Sequence, residues 1–183
     1  MNLSIKSQSM HSLLAKAIFF FAIVALFSAC KEQEYVSPYY QTPEQVEAQK
    51  KADEETIRKY FRANNVDTTK VTRTNSGLYH LTTKAGEGDL IKAGQQVTVH
   101  YIGKFVNNQT FDNSYSRANP IVFTVGVNPL EVIKGWDEGM RLMRAGEEGF
   151  LYIPSYLAYG YYGSGSVPPN TVLIFDIKVL SVK

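Results

Sequence analysis

Apolar and polar residues alternate with a period of two in several segments of the second half of the chain. Such alternation is typical of β-strands that bury one face. The segments are residues 77–81, 97–102, 121–125, 149–153 and 172–180. Turn residues separate these segments at short intervals, so the pattern predicts a compact, mostly antiparallel β-domain.

One short segment around the only tryptophan of the chain follows a helical period instead. Ile133, Trp136 and Met140 fall on one helical face. Gly135 and Gly139 flank the helical turn that contains Trp136. This spacing predicts one short amphipathic helix with its indole pointing inward. A single short helix among many strands predicts an α+β fold, in which a curved antiparallel sheet wraps around the helix and Trp136 forms the floor of a cavity.

A second helix is predicted ahead of the β-domain. Thr42 is a candidate N-cap, Pro43 stands at the first helical position, and Gln45 follows three residues after the cap. The helix is expected to run to Ala63, and the pattern leaves a break near Ala52 open. Its apolar stripe is short, so packing on the β-domain is favoured over dimerisation or partner docking.

The first residues have the features of an export signal. Lys6 and Lys16 precede an apolar run over residues 17–27, which is too short for a membrane-spanning helix. Small residues and Cys30, the only cysteine, follow. This arrangement resembles a bacterial lipobox, in which the cysteine is lipidated and anchors the protein to a membrane. An ordinary cleaved signal peptide and an uncleaved anchor are the alternatives, and all three predict export from the cytoplasm.

These features divide the chain into four predicted segments. They are a signal peptide at residues 1–29, a lipidated cysteine and tether at 30–41, a helical extension at 42–75 and the β-domain at 76–183. Loss of the two leader lysines takes the 19 basic residues to 17, which equals the 17 acidic ones. Nucleic-acid binders usually carry a clustered basic surplus, so no nucleic-acid partner is predicted.

Familiar catalytic motifs are not found in the sequence. The histidines do not group with a thiol or with paired carboxylates, so no metal site is predicted. Glu147 and Glu148 follow Gly146 in a pattern typical of a solvated turn. Aromatic residues are instead concentrated at turns and strand ends. Aromatics on loops near a single tryptophan indicate a concave apolar pocket with a few polar groups at its rim.

Five short motifs of the β-domain carry a more specific signal. They are Val99-His100-Tyr101-Ile102-Gly103, Thr110-Phe111-Asp112, Val132-Ile133-Lys134-Gly135-Trp136, Ala158-Tyr159-Gly160 and Pro168-Pro169-Asn170-Thr171-Val172-Leu173-Ile174-Phe175-Asp176. In order and spacing they resemble the motifs of FKBP-type peptidyl-prolyl cis/trans isomerases. The resemblance covers about residues 86–183 and, together with the lipobox, suggests a bacterial lipoprotein member of that family.

The resemblance implies an FKBP-like fold and a pocket that binds proline. The residues it assigns to catalysis are Tyr101, Asp112, Ile133, Trp136, Tyr159 and Phe175. Those it assigns to substrate binding are Phe111, Arg117, Ile121, Phe123, Val132 and Val167. In this scheme the Tyr159 hydroxyl and the Ile133 backbone N–H donate hydrogen bonds to substrate carbonyl groups. Asp112 lies at the rim, where Arg117 pairs with it.

The function implied is isomerisation of X-Pro bonds, which would assist the folding of envelope or surface proteins. No cofactor is implied. The expected partners are proline-containing polypeptide segments, macrolide inhibitors and a membrane reached through the lipid at Cys30. The alternative is a chaperone or adaptor module of an envelope complex, which would hold proline-containing segments with little turnover.

Overall fold

The computed structural model describes residues 41–183, and within this range two α-helices and seven β-strands form the secondary structure. They are α1 (Pro43–Ala63), β1 (Val71–Arg73), β2 (Tyr79–Lys84), β3 (Gln96–Lys104), β4 (Thr110–Asn113), β5 (Ile121–Thr124), α2 (Lys134–Met140), β6 (Glu148–Ile153) and β7 (Leu173–Val182). Short 3-10 helices cover Thr68–Lys70, Tyr115–Arg117 and Ser155–Leu157. The predicted signal peptide, Cys30 and nearly all of the tether lie outside the described residues.

All strand pairs in the described sheet are antiparallel, in the order β1-β2-β6-β7-β3-β4. Strand β3 pairs with β5 through its first half and with β4 through its last residues. Strand β7 lies between β6 and β3, so it joins one group of strands, β1, β2 and β6, to the other, β3, β4 and β5. This architecture confirms the predicted α+β class with an antiparallel sheet around one short helix.

Helix α2 packs on one face of the sheet, which we call the inner face. Two glycines one helical turn apart allow the backbone of α2 to approach β6 closely. A Cβ atom at Gly135 would lie 2.4 Å from Cγ2 of Ile153, and one at Gly139 would lie 2.3 Å from Cδ1 of Leu151. Because side chains at these positions would collide with β6, both glycines are needed for the contact. The same approach places Trp136 in the main hydrophobic core.

Helix α1 covers part of the opposite face, which we call the outer face. Thr42 and Gln45 form the predicted capping box, and the helix is continuous, so the break considered near Ala52 is not present. Ile57 and Phe61 are buried against outer-face residues of β2, β6 and β7. Burying two such side chains stabilises the fold by roughly 1.5–3 kcal/mol each. The packing therefore supports the favoured interpretation of α1 as part of the same compact unit as the sheet, Thr42–Lys183.

One local prediction, the solvated turn at Glu147, is wrong. Glu147 is only 3% exposed and accepts hydrogen bonds from the Thr82 hydroxyl at 2.8 Å and the Arg144 amide at 3.0 Å. The ring nitrogen Nε2 of His80 lies 3.2 Å from the same carboxylate, although without hydrogen-bond geometry. Burial lowers the pKa of His80, and the nearby carboxylate opposes this shift only in part. Glu147 therefore joins β2 to the loop before β6.

Candidate active site

A cavity of about 170 Å³ opens to solvent on the inner side of the sheet, above the indole of Trp136. Its walls come from β3, β4, β5, β7, the segment before α2, α2 itself and the loop after the third 3-10 helix. The lining residues are Tyr101, Phe111, Asp112, Ile121, Glu131, Val132, Ile133, Trp136, Tyr159 and Phe175. The lining is largely apolar and has few polar groups, which is usual for a site that binds a small hydrophobic group.

The aromatic rings around Trp136 hold one another at fixed angles. Tyr101 and Phe175 meet the indole edge to face, with centroid distances of 5.0 Å and 5.2 Å and interplanar angles of 89°. Phe111 meets Phe175 in the same way at 5.6 Å. Edge-to-face pairs of this kind are favourable beyond the area they bury. The floor and one wall of the cavity are therefore rigid, and Trp136 is only 4% exposed.

A hydrogen-bonded group of three polar side chains forms one edge of the cavity. The Tyr101 hydroxyl and the Arg117 guanidinium both donate to the carboxylate of Asp112. A second guanidinium nitrogen of Arg117 donates to the Tyr101 hydroxyl oxygen at 3.0 Å. The backbone N–H of Asn113 adds a further bond to Asp112 at 2.8 Å. Because the Tyr101 hydroxyl donates its hydrogen bond to Asp112, this hydroxyl is held in place and cannot donate to a ligand at the same time.

The pKa shifts in this group preserve its charges at neutral pH. Burial alone would raise the pKa of Asp112, but hydrogen bonds, chiefly from Arg117 and Tyr101, outweigh it and hold that pKa below its ordinary value. Burial raises the pKa of Tyr101, and its bond to Asp112 raises it further. The bond to Asp112 also raises the pKa of Arg117. The edge therefore keeps a carboxylate, a neutral phenol and a guanidinium over a wide pH range.

The two hydrogen-bond donors predicted for the site have no partner within residues 41–183. One is the hydroxyl of Tyr159, whose side chain is 38% exposed. The other is the backbone N–H of Ile133, the residue immediately before α2. Since an unpaired donor in a largely apolar cavity is available to a ligand, both can bind carbonyl oxygens of a polypeptide.

Three of the residues predicted for the site do not line the cavity. Phe123 is 2% exposed and lies against Trp136 at a centroid distance of 5.8 Å, so it supports the floor from behind. Val167 is buried in the same core and forms a turn with Ser164 through two backbone hydrogen bonds. Arg117 lies at the rim, where it contacts the cavity through Asp112.

One lining residue, Glu131, was not predicted. Its carboxylate accepts a hydrogen bond from the backbone N–H of Thr124 at 3.0 Å and so links β5 to the segment before α2. Its position directly before Val132 indicates a lining residue, but its charge argues against a place in an apolar wall.

Within the described residues, no cluster of three or more histidine, cysteine or acidic side chains is arranged to bind a metal ion. No helix of residues 41–183 combines the length and the apolar character needed to cross a bilayer.

Comparison with known proteins identifies the family. The profile of the FKBP-type peptidyl-prolyl cis-trans isomerases matches residues 87–180, which contain all the lining residues of the cavity. A probable FKBP-type peptidyl-prolyl cis-trans isomerase of Haemophilus influenzae is 43% identical over 67% of this chain and 49% of its own length. The isomerase FkpA of Aeromonas hydrophila is 39% identical over 75% of this chain and 48% of its own length.

Solved structures give the same result. The crystal structure of FkpA from Escherichia coli superposes with a TM-score of 0.62 at 34% identity, and the match covers 76% of this chain and 65% of that one. The crystal structure of AtFKBP13 superposes with a TM-score of 0.57 at 38% identity, covering 62% of this chain and 98% of that one. The chain spans about half the length of the curated relatives it matches. With its fold, motifs and cavity in agreement, the chain belongs to the FKBP-type peptidyl-prolyl cis-trans isomerase family.

Proposed function

We propose that this protein catalyses cis/trans isomerisation of X-Pro bonds in polypeptides that fold outside the cytoplasm. The observation that carries the proposal is the small open cavity above Trp136, whose rigid aromatic walls enclose an apolar space at the protein surface. A prolyl ring is apolar and compact, so it is suited to such a space. Family membership supports the same activity.

The proposed mechanism needs no covalent step. The barrier to rotation about an amide, roughly 18–20 kcal/mol, arises from resonance that gives the C–N bond double-bond character and places negative charge on oxygen. Water stabilises this charge-separated planar form. An apolar cavity formed by Trp136, Phe175 and Phe111 removes that water, which disfavours the planar ground state relative to the twisted transition state.

Donors at the cavity would add to this effect. Only interactions that are stronger in the twisted state than in the planar state accelerate rotation. In our proposal the Tyr159 hydroxyl and the Ile133 N–H bind the carbonyl groups that flank the prolyl ring and hold the chain while the amide turns. Asp112 and Arg117 fix Tyr101 in the wall and take no proton from the substrate. Each tenfold gain in rate requires about 1.4 kcal/mol, so a few such contacts are sufficient.

A protease-coupled assay with a proline-containing peptide tests the proposed activity. We expect the purified protein to increase the rate of cis-to-trans conversion in proportion to its concentration. Trp136→Leu is the matched variant of reduced activity because it alters the floor of the cavity. If the protein binds the peptide but does not accelerate conversion, it acts as a proline-segment-binding chaperone or adaptor, and the enzymatic proposal is wrong.

Export and anchoring are proposed from the sequence. Residues 1–29 would be removed, and Cys30 would carry a lipid that holds the protein at a membrane of the cell envelope. The polar segment 31–41 would then separate the compact unit from the lipid surface. Mass analysis of the mature N-terminus tests this proposal: a diacylated or triacylated Cys30 supports it, whereas an unmodified terminus at any position contradicts it.

The cavity is also proposed to bind macrolide inhibitors, which are larger than a prolyl ring and would extend over its rim. Because Trp136 is the only tryptophan and forms the cavity floor, its fluorescence reports directly on occupancy. Titration with a macrolide should change this emission to saturation and inhibit isomerisation with the same midpoint. Unchanged emission at high macrolide concentration would remove this ligand class from the proposal.

A further inference from the structure

Helix α1 contacts the segment that leads to Tyr159 through one buried carboxylate. Asp53 lies in the middle of the helix and is only 2% exposed. Its oxygen Oδ2 accepts hydrogen bonds from both the backbone N–H and the hydroxyl of Ser155, at 2.8 Å and 2.7 Å. Its other oxygen accepts a bond from the Gln49 side chain at 2.8 Å. These contacts join residues that are 102 positions apart in the sequence.

Asp53 is an unusual residue to bury in this place. No lysine or arginine within residues 41–183 forms an ion pair with it. A buried carboxylate is costly unless hydrogen bonds compensate for the lost water. Burial raises the pKa of Asp53, and the bonds from Ser155 and Gln49 oppose that shift only in part. The strongest compensation comes from Ser155, which gives Asp53 two hydrogen bonds, so the role of this carboxylate is sought in what Ser155 holds.

Ser155 is the first residue of the 3-10 helix Ser155–Leu157, which leads directly to Tyr159. Its carbonyl oxygen accepts two backbone hydrogen bonds, from Ala158 at 3.0 Å and from Gly160 at 2.8 Å. The residues on both sides of Tyr159 are therefore tied to one oxygen atom of Ser155. The carbonyl of Gly160 in turn accepts a bond from the Asn170 amide at 2.8 Å, which closes the loop.

From this chain of contacts we infer that Asp53 is a positioning residue for Tyr159. The carboxylate fixes Ser155 through its N–H and hydroxyl, and Ser155 fixes the backbone on both sides of Tyr159. The Tyr159 hydroxyl, which has no partner of its own in the described residues, is thereby held at the mouth of the cavity. Helix α1 then contributes to substrate binding although none of its residues lines the cavity. The kinetic part of this inference rests on the proposed function, whereas its structural part does not.

The test compares Asp53→Ala and Asp53→Asn with the control Glu55→Ala, which alters an exposed carboxylate of the same helix. Asp53→Asn retains an oxygen that can accept both bonds from Ser155. We expect Asp53→Ala to lower kcat/KM by about 2- to 10-fold, the loss expected when one substrate hydrogen bond is missing. Asp53→Asn should restore most of this loss, and Glu55→Ala should have no effect. Equal losses in Asp53→Ala and Asp53→Asn would contradict the inference.

A double-mutant cycle separates positioning from a general loss of stability. If Asp53 acts through Tyr159, adding Asp53→Ala to Tyr159→Phe should cause no further loss of kcat/KM, because the hydroxyl is already absent. Additive losses would show that Asp53 acts elsewhere and would overturn the inference.

Hydrogen exchange provides a readout that does not depend on activity. In Asp53→Ala the amides of Ala158 and Gly160 should exchange at least about tenfold faster, while amides of β7 keep their protection, because only a local opening is made easier. Uniformly faster exchange would indicate a merely structural role and overturn the inference, as would unchanged exchange at 158 and 160. If the wild-type protein showed no isomerase activity, the proposed function would fail, but this measurement would still decide whether Asp53 holds the Tyr159 loop.

Discussion

The two faces of the sheet both carry clusters of aromatic residues, but the two clusters border different kinds of cavity. The outer cavity, of about 280 Å³, lies beside Phe61 and Tyr79 and is lined by three arginines, Arg58, Arg62 and Arg73, whereas the inner cavity is lined mainly by apolar side chains. On the outer face, the ring of Phe61 from α1 packs edge to face against Tyr79 and Tyr152, at centroid distances of 5.4 Å and 4.7 Å. On the inner face, the rings of Tyr101 and Phe175 stand edge to face on Trp136, and the space above the indole opens to solvent.

The difference lies in what fills the space between the rings. On the outer face a side chain of the protein itself occupies that space, so the aromatic cluster contributes stability. On the inner face the rings meet in the same edge-to-face geometry, but the space above the indole is open to solvent, and we propose that it binds a ligand. Substitutions in the two clusters should therefore have opposite consequences for stability and activity.

The largest effect is expected on the outer face. Phe61→Ala should lower the free energy of unfolding by about 3–5 kcal/mol, because it removes a buried ring and leaves a void between two tyrosine rings. The specific activity of the folded protein should change less than about twofold, since Asp53 and Ser155 remain in contact. Urea unfolding and the peptide assay measure the two quantities. Arg62→Ala, an exposed neighbour, is the control and should alter stability by less than about 0.5 kcal/mol.

A smaller effect, but on activity, is expected on the inner face. Trp136→Leu should reduce kcat/KM by about 10- to 100-fold, which corresponds to about 1.4–2.7 kcal/mol, because the floor loses its edge-to-face contacts and its area. Val122→Ala, at an exposed position of β5, should leave activity unchanged. If Trp136→Leu kept full activity while losing stability, the inner cluster would be an ordinary core like the outer one.

The donor at the cavity mouth should contribute less than the floor. Tyr159→Phe retains the ring and removes the hydroxyl, so kcat/KM should fall by about 2- to 10-fold, the contribution of one hydrogen bond. The free energy of unfolding should stay the same because no described residue binds this hydroxyl. Tyr115→Phe, at another exposed tyrosine, is the matched control. An equal loss in both variants would assign the effect to the removal of any surface hydroxyl.

The smallest effect is expected from pH. The folded-state pKa of Asp112 lies below its ordinary value, so the stability from its hydrogen bonds is present above that value and is lost only as the pH falls through the folded pKa. The pKa of Tyr101 is raised, so its phenol also stays neutral. Between about pH 6 and about pH 8, kcat/KM should therefore vary by less than about twofold. A midpoint within this range would show that a titrating group controls the activity, either at the cavity or through Asp53, whose pKa is raised by burial.

Secondary-structure elements whose pattern depends on neighbouring residues were predicted correctly from the sequence. The alternation of β3 and β7 and the helical spacing around Trp136 depend on near neighbours in the chain, and the structure confirms these elements. The ends of the strands differ from the prediction where backbone dihedral angles determine them. Gly77 has a φ of +96° and belongs to a turn, so β2 begins at Tyr79 rather than at residue 77. Period-two patterns do not report such a dihedral angle.

Residues whose environment depends on distant parts of the chain could not be predicted. Glu147 follows a glycine and has a charged neighbour, but β2 brings His80 and Thr82 against it and buries it. Asp53 lies in a helix rich in charges, and only the approach of Ser155 gives it a buried partner. The alternation of apolar and polar residues in β5 predicted that Phe123 points inward. It could not show that this ring packs against Trp136 without lining the cavity. The family motifs predicted most of the residues that line the cavity. Glu131 was not among them, because a charged side chain is not expected in an apolar wall.

The central place of β7 has a consequence for the order of events during biosynthesis. Residues 173–182 form the middle of the sheet, yet they are made after every other described strand. A nascent chain that stops at residue 172 holds two partial sheets whose facing edges are bare, and bare edges invite pairing with other chains. We therefore expect protease resistance to appear only in chains that include residues 173–182, because the two partial sheets are joined only when this last strand pairs with both.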